Sequence, residues 1–224
     1  MSHVLSKSRY IRGLQCHRAL YFDVYEPKLA HYSSETLALF RAGREFEYTY
    51  KSLYPNAKDV SAELGRSVDS YPDFTQRQLL DRGEVVLFEA GFLFNEVLVL
   101  ADVVVKQADG NVAIHEVKSG SRLTETYVRD ASVQYYVAVN ALRAMGLRLS
   151  TFDVVYNNGE GGFSVADLTV ECQVALGDVA RTVEELKDVV QGFEPQVELG
   201  PHCSQPYPCP YLDHCLALKR AAAS

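Results

Sequence analysis

The stretch VVLFEAGFLFNEVLVLADVVVKQADGNVAIHEVK, residues 85–118, decides the fold of this chain. Its Val- and Leu-rich runs predict three consecutive strands, Val85–Phe94, Val97–Lys106 and Asn111–Lys118. We expect Asn95-Glu96 to form a two-residue turn between the first two strands. Ala108-Asp109-Gly110 is expected to form a three-residue loop before the third strand, with Gly110 in the left-handed conformation.

An acidic residue interrupts the second of these strands. Asp102 lies inside an apolar run, where a carboxylate is costly unless it is paired or bound to a metal. With the three-residue loop, Asp102 lies opposite Glu116, and Lys118 leaves the same face of its strand as Glu116. A two-residue loop would shift the register by one and place the two carboxylates on opposite faces. The same count across the first hairpin places Glu89 opposite Asp102.

A row of carboxylates of this kind suits Mg²⁺ or Mn²⁺, which prefer carboxylate and water ligands. Lys118 would then orient a metal-bound water or neutralise the charge that develops during its attack. Three alternatives stay open at this point. Asp102 can face solvent at a strand end, Glu116 and Lys118 can form a surface pair on an edge strand, and Glu89 can pair with an Arg or Lys.

Helical patterns surround the three strands. Helices are predicted at residues 6–22, Glu35–Leu53, Phe74–Arg82, 125–145 and Val170–Val190, and further strands at Phe152–Asn157 and Phe163–Leu168. This order predicts an α/β fold with a mixed central sheet flanked by helices. The tail from Gln196 to Cys215 is rich in Pro, Tyr and Cys and is too irregular for a helix, so we expect a metal to hold it.

The bulk composition limits the function classes. The length of 224 residues suits a single large domain. No apolar run is long enough for a membrane helix, and the start has no secretory signal, so we expect a cytoplasmic protein without membrane contact. The net charge of −7 is a weak argument against nucleic acid, because Lys7, Arg9, Arg12 and Arg18 form a local basic segment. That segment is either a DNA-binding patch or a solvated helix face.

Four of the five cysteines lie near the two ends of the chain: Cys16, Cys203, Cys209 and Cys215. In a reducing compartment such cysteines indicate metal or redox chemistry rather than disulfides. A metal held by all four would close the long loop between Cys16 and Cys203, and its binding free energy would become folding free energy. The fifth, Cys172, is interpreted as a buried core thiol.

The order of these residues resembles that of the PD-(D/E)XK nuclease superfamily. Asp102, Glu116-Val117-Lys118 and the helical Gln134 match its D, E-x-K and downstream Gln positions. The cysteines resemble those of the RecB-like branch with an iron–sulfur cluster, which includes the CRISPR-adaptation exonucleases. The resemblance implies a structural [4Fe-4S] cluster on Cys16, Cys203, Cys209 and Cys215, with zinc as the alternative.

Two positions depart from that branch. Glu47 stands where the branch often has a metal-binding His in a Gly-x-x-x-His motif, so we interpret it as a metal ligand, with a solvated helix residue as the alternative. The branch also has Gln-x-x-x-Tyr, whereas here Gln134 is followed directly by Tyr135 and Tyr136. We expect these tyrosines to stack on DNA bases.

The resulting hypothesis is a metal-dependent deoxyribonuclease, with exonuclease action on single-stranded ends implied by the resemblance. Residues 1–224 would form one nuclease-like domain, in which 1–30 and 195–218 join the termini as a metal-cluster subdomain. The expected roles are metal binding by Glu47, Asp102 and Glu116, catalysis by Asp102, Glu116, Lys118 and Gln134, support by Glu89, and DNA contact by Arg9, Arg12, Tyr135 and Tyr136. CRISPR-adaptation or repair proteins are the partners that the resemblance suggests. The rival hypotheses are a non-catalytic DNA-binding or scaffold protein of the same fold and a zinc-stapled interaction module.

Overall fold

The computed structural model describes residues 4–222, with side chains to 221, and it has the α/β architecture that the sequence predicts. The strands are β1 Leu5–Ser6, β2 Lys58–Asp59, β3 Val85–Phe94, β4 Val97–Lys106, β5 Asn111–Lys118, β6 Arg148–Asn157 and β7 Phe163–Asp167. The α-helices are α1 Lys7–Gln15, α2 His17–Tyr25, α3 Ser34–Lys51, α4 Val60–Leu64, α5 Tyr71–Leu80, α6 Glu125–Ala144, α7 Thr169–Gln191 and α8 Leu212–Ala222. Single 3₁₀ turns occur at Pro27–Leu29, Val68–Ser70 and Pro201–Cys203.

The seven strands form one mixed sheet in the order β2-β3-β4-β5-β6-β7, and β1 pairs with β4. The β3–β4, β4–β5 and β6–β7 pairs are antiparallel, whereas β1–β4, β2–β3 and β5–β6 are parallel. The larger core lies on the sheet face covered by α1, α6 and α7. A smaller core on the other face joins Tyr50 of α3 to Val103, Val117 and Val155. Within residues 4–222, no helix combines the length and the apolarity that a membrane crossing needs.

Both predicted hairpin registers are confirmed. Phe94 pairs with Val97, and the turn residues Asn95 and Glu96 both have positive φ, as a two-residue turn requires. In the second hairpin the Gln107 amide donates to the Asn111 carbonyl at 2.8 Å, and Gly110 has a φ of 86°. The loop therefore has three residues, and its register places Asp102 opposite Glu116 and Glu89 opposite Asp102.

Two helix predictions near the cysteines were wrong. The predicted helix over residues 6–22 is broken at Cys16, whose extended backbone (φ −163°, ψ 119°) separates α1 from α2. The tail was expected to lack helix, but Cys215 lies on α8. The expected buried thiol is confirmed, because Cys172 on α7 is fully buried in the larger core.

Candidate metal centre

The candidate site lies where the sheet divides. The β4–β5 ladder ends at the pair Val103–His115, and beyond it the Asp102 carboxylate accepts the Val117 amide at 2.7 Å. Since β3 pairs with β4 along its whole length, β1 and β5 both lie on the opposite edge of β4. The ends of β1 and β5 therefore border a gap in the sheet, and the acidic side chains line this gap.

The pleat of β3 and β4 also changes at this point. On β4, Ala101 and Val104 face the larger core while Val103 faces the smaller one, although strict alternation would keep 101 and 103 on one side. The change falls at Asp102 and at the facing residue Glu89, whose φ is 53°. A non-glycine residue in the left-handed region is uncommon, and such residues concentrate at functional sites.

Three carboxylates meet at this distortion. Glu47 of α3, Glu89 of β3 and Asp102 of β4 each offer an oxygen, and the three oxygens lie within 4.8 Å of one another. Between residues 4 and 222, this is the one group of three or more His, Cys, Asp or Glu side chains that are so placed. Carboxylate oxygens at this spacing are ligands for a hard divalent cation such as Mg²⁺ or Mn²⁺.

Glu116 lies beside this trio and is bound by two lysines. Its Oε1 accepts from Lys7 Nζ at 2.8 Å and from Lys118 Nζ at 2.6 Å, while its Oε2 is buried without a hydrogen-bond partner. Lys118 also binds Asp130 of α6. Burial alone would raise the pKa of Glu116, but the lysines outweigh it and lower that pKa below its ordinary value. Glu116 therefore stays ionised, with one oxygen left for a further partner.

The surroundings of Asp102 and Glu89 disfavour the charged form of each carboxylate. Burial raises the pKa of Asp102 well above its ordinary value, and the nearby Glu116 raises it further. Burial also raises the pKa of Glu89, although Lys51 opposes the shift. Lys51 Nζ lies 2.5 Å from both Glu47 Oε1 and Glu89 Oε1.

The acidic groups of the centre outnumber the basic ones. The carboxylates are Glu47, Glu89, Asp102, Glu116 and Asp130, and the ammonium groups are Lys7, Lys51 and Lys118. Five against three leave a net charge of −2 when all are ionised. One divalent cation would neutralise this charge.

The structure brings together most of the predicted site residues. Asp102, Glu116, Lys118, Glu47 and Glu89 surround the gap in the sheet. Glu89 was expected only to support the site, yet it belongs to the closest carboxylate trio, whereas Glu116 lies outside that trio and contacts the lysines.

The predicted site residues of α6 are buried. Gln134 is 1% exposed and both of its amide atoms lack a hydrogen-bond partner, so it does not bind Lys118. The Lys118 partner on this helix is Asp130, one turn earlier. Tyr135 and Tyr136, which were predicted to stack on DNA bases, are both buried in the larger core, at 2% and 7% exposure.

Sequence reasoning missed three charged residues of the centre, and two of them carried a local signal. Asp130 precedes Gln134 by four residues, and Lys51 follows Glu47 by four, so helical spacing could have indicated both. Lys7 lies more than a hundred residues from Glu116 in sequence, and only the pairing of β1 with β4 brings it to the site.

The two arginines that were predicted to contact DNA lie apart from each other. Arg9 lines a cavity that Asp102 also lines. Arg12 lies instead beside the C-terminal segment, where it lowers the pKa values of Cys209 and Tyr211 against the stronger effect of burial. Its Nε is buried without a hydrogen-bond partner.

The N-terminal helices and the C-terminal tail contact each other around the cysteines. Cys16, Cys209 and Cys215 pack against an apolar group of Ala19, Phe22 and Tyr211. The His31 amide donates to the Pro210 carbonyl at 2.8 Å, and the Gln15 side chain donates to the carbonyls of His202 and Tyr207, each at 2.7 Å.

The thiols influence one another electrostatically but form no tight ligand set. Burial raises the pKa of Cys209 and of Cys215, and the thiols of Cys16 and Cys203 act in the same direction on both. No three of these sulfurs lie within 4.8 Å of one another in the described part of the chain.

Comparison with known proteins gives no family assignment. No protein-family model and no curated protein matches the chain. Among solved structures, it resembles the crystal structure of SSO0001, with 12% identity, a TM-score of 0.49, and coverage of 95% of this chain and 85% of that one. It also resembles the crystal structure of a "Putative exonuclease" from Eubacterium rectale, with 14% identity, a TM-score of 0.47, and coverage of 90% and 87%. At these TM-scores neither likeness bears on function.

Proposed function

We propose that this protein is a divalent-cation-dependent deoxyribonuclease of the PD-(D/E)XK type, acting by phosphodiester hydrolysis. The observation that carries the proposal is the convergence of Glu47, Glu89 and Asp102 within 4.8 Å, at the distorted sheet position beside Glu116 and Lys118. Exonuclease action on single-stranded ends is the narrower form of the proposal, and it rests on the resemblance of the motif order.

Each residue of the centre has a role in the proposed reaction. Glu47, Glu89, Asp102 and the free Oε2 of Glu116 would hold Mg²⁺ or Mn²⁺. A bound cation of this kind lowers the pKa of a coordinated water and stabilises charge on the attacked phosphate. Lys118, fixed between Glu116 and Asp130, holds Glu116 ionised and in place. Gln134 remains a proposed positioning residue, because its buried amide has donors and an acceptor to offer.

We also propose that Cys16, Cys203, Cys209 and Cys215 hold a structural [4Fe-4S] cluster. The donor set fits, since thiolates are the ligands of such clusters and the buried, unpartnered Arg12 Nε would face their negative charge. The choice of a cluster over a zinc ion rests on the resemblance of the cysteine positions.

A cleavage assay tests the nuclease proposal. Labelled single- and double-stranded DNA would be incubated with wild-type protein, with Mg²⁺ or Mn²⁺ and then with EDTA in their place. We expect cation-dependent cleavage that Lys118→Ala slows by about a hundredfold or more. The matched control is Lys28→Ala, which removes an exposed lysine in the 3₁₀ turn Pro27–Leu29. Absence of cleavage of every DNA form, with cation present, would refute the nuclease assignment.

A specific observation favours one rival function, a non-catalytic DNA-binding or scaffold protein of the same fold. The Lys51 ammonium lies between Glu47 and Glu89 at 2.5 Å from each, and so pairs with two of the three carboxylates without any metal. If Lys51 remains there in the working protein, no cation enters the centre. The same assay separates the two functions, because the rival predicts DNA binding without cleavage.

A further inference from the structure

The two lysines that bind Glu116 differ in what else surrounds them. Lys118 is held by two carboxylates, Glu116 and Asp130, and its ammonium lies 5.7 Å from the centre of the Tyr127 ring. Within residues 4–222, Lys7 has one hydrogen bond, to Glu116 at 2.8 Å. An ammonium group has three N–H donors, so two donors of Lys7 remain unused.

Lys7 lines a cavity of about 470 Å³. Ser8, Arg9, Glu89 and Asp102 are among the other residues that line it. Of the two lysines that bind Glu116, Lys7 is the one that lines it, at least among the residues the structure describes. The cavity is therefore lined by two cationic side chains and by two of the three carboxylates of the metal centre.

The fold fixes the position of the Lys7 backbone. Leu5 and Ser6 pair with Val97 and Leu98 in the sheet, and Ser6 then caps α1 by accepting the Arg9 amide. Lys7 is the first helical residue after that cap, so its backbone is held at the edge of the gap.

We propose that Lys7 is a catalytic residue that binds a substrate phosphate, and that Lys118 is a positioning residue that holds Glu116. This inference rests on the proposed function and assigns the phosphate contact within it. The ligand class is a nucleotide phosphate that enters the cavity with its anionic oxygens on Lys7. The motif order led us to expect that Lys118 neutralises the charge that develops during attack. This inference assigns the phosphate contact to Lys7 instead.

Calorimetric titration with thymidine 5′-monophosphate, in the presence of Ca²⁺, tests the phosphate contact of Lys7 without requiring cleavage. Lys7→Gln keeps a donor for Glu116 but removes the charge, and we expect it to weaken nucleotide binding by about tenfold or more. Lys7→Arg restores the charge and should recover most of the affinity. The matched control is Lys187→Gln, which removes a largely buried lysine paired with Glu96 and Glu184 outside the cavity and should leave nucleotide binding unchanged.

The outcomes separate the inference from the function that it rests on. If wild type binds the nucleotide, Lys7→Gln does not, and no DNA is cleaved, the phosphate site stands and the nuclease proposal fails. If Lys7→Gln binds the nucleotide as tightly as wild type, the inference on Lys7 is wrong whatever the cleavage assay shows. Lys7→Met serves as a second neutral variant should the glutamine variant not fold, with the same two outcomes.

Discussion

At the scale of single residues, the centre is defined by groups that are unfavourable without a cation. Asp102 is a carboxylate whose burial disfavours its charged form, and Glu116 has one buried oxygen that nothing in residues 4–222 satisfies. Glu89 has a backbone conformation that few glutamates adopt. Since folded proteins retain such features mainly where function requires them, these residues are the ones on which the proposed cation binding depends.

Asp102→Asn is expected to stabilise the cation-free protein by about 1 kcal/mol, because asparagine can still accept the Val117 amide without a buried charge. The folded-state pKa of Asp102 is raised, so its contribution to stability is present at pH below the unfolded value and is lost as pH rises through the folded one. Asp102→Asn has no carboxyl group at this position, so its free energy of unfolding should not show that loss. Urea unfolding of both proteins in EDTA, between about pH 4 and pH 8, measures the pH dependence of the free energy of unfolding. Equal slopes for the two proteins would contradict the burial of this charge.

Gln134→Leu gives a second residue-scale prediction. Its buried amide lacks partners, and leucine has a similar size, so we expect the variant to raise the free energy of unfolding by about 1 kcal/mol while lowering cleavage. The two readouts are chemical unfolding and the cleavage rate. Lower stability with unchanged cleavage would instead mean that Gln134 has a structural role only.

At the scale of elements, the sequence predicts some features well and others poorly, for physical reasons. The three strands over residues 85–118 have the predicted bounds, because long apolar runs are separated by residues that favour turns. The register of those strands follows from loop length, and it correctly places Glu89, Asp102 and Glu116 in a row. The break at Cys16 and the two-residue strands β1 and β2 depend on tertiary contacts, which local periodicity does not encode.

The packing of α5 on β3 gives an element-scale prediction. A Cβ on Gly91 would lie 2.5 Å from Tyr71 Cβ and 2.9 Å from the backbone nitrogen of Pro72, so Gly91→Ala must push the helix away from the strand. We expect a loss of about 1–3 kcal/mol in stability and weaker cation binding, because Glu89 is two residues away. The measurements are thermal unfolding and cation titration.

Gly177→Ala is the matched control for that substitution. Gly177 lies within α7, and a Cβ there meets no atom within 4 Å. This variant should gain about 0.4–1 kcal/mol from the lower entropy of the unfolded chain. Tolerance of Gly91→Ala at the level of the Gly177 control would show that α5 does not set the position of β3.

At the scale of the whole molecule, α1 connects the two candidate metal sites. It begins at Lys7 in the acidic centre, and Cys16 follows its last residue beside the C-terminal segment. Hydrogen bonds join the N-terminal helices to the C-terminal segment, and Phe22 packs on Tyr211 with the ring centres 5.6 Å apart. A cluster on the four cysteines would therefore stabilise the same helix that carries the phosphate-binding lysine.

Cys16→Ser tests this arrangement. We expect the anaerobically purified wild-type protein to be brown, with absorbance at about 400 nm, and the variant to lose iron and sulfide and to unfold roughly 10 °C lower. Cys172→Ala is the matched control, because Cys172 lies in the larger core and should leave the iron content unchanged. Stoichiometric zinc without iron in the wild-type protein would contradict the cluster and support a zinc staple.

The central claim is that carboxylates from distant parts of the chain converge on one divalent cation. Calorimetric titration of the wild-type and Asp102→Asn proteins with Mg²⁺ tests it most directly, since it depends on neither substrate nor cleavage. We expect a cation-binding event in the wild-type protein that is lost in the variant. Absence of Mg²⁺ binding by the wild-type protein, or equal binding by the variant, would contradict the claim.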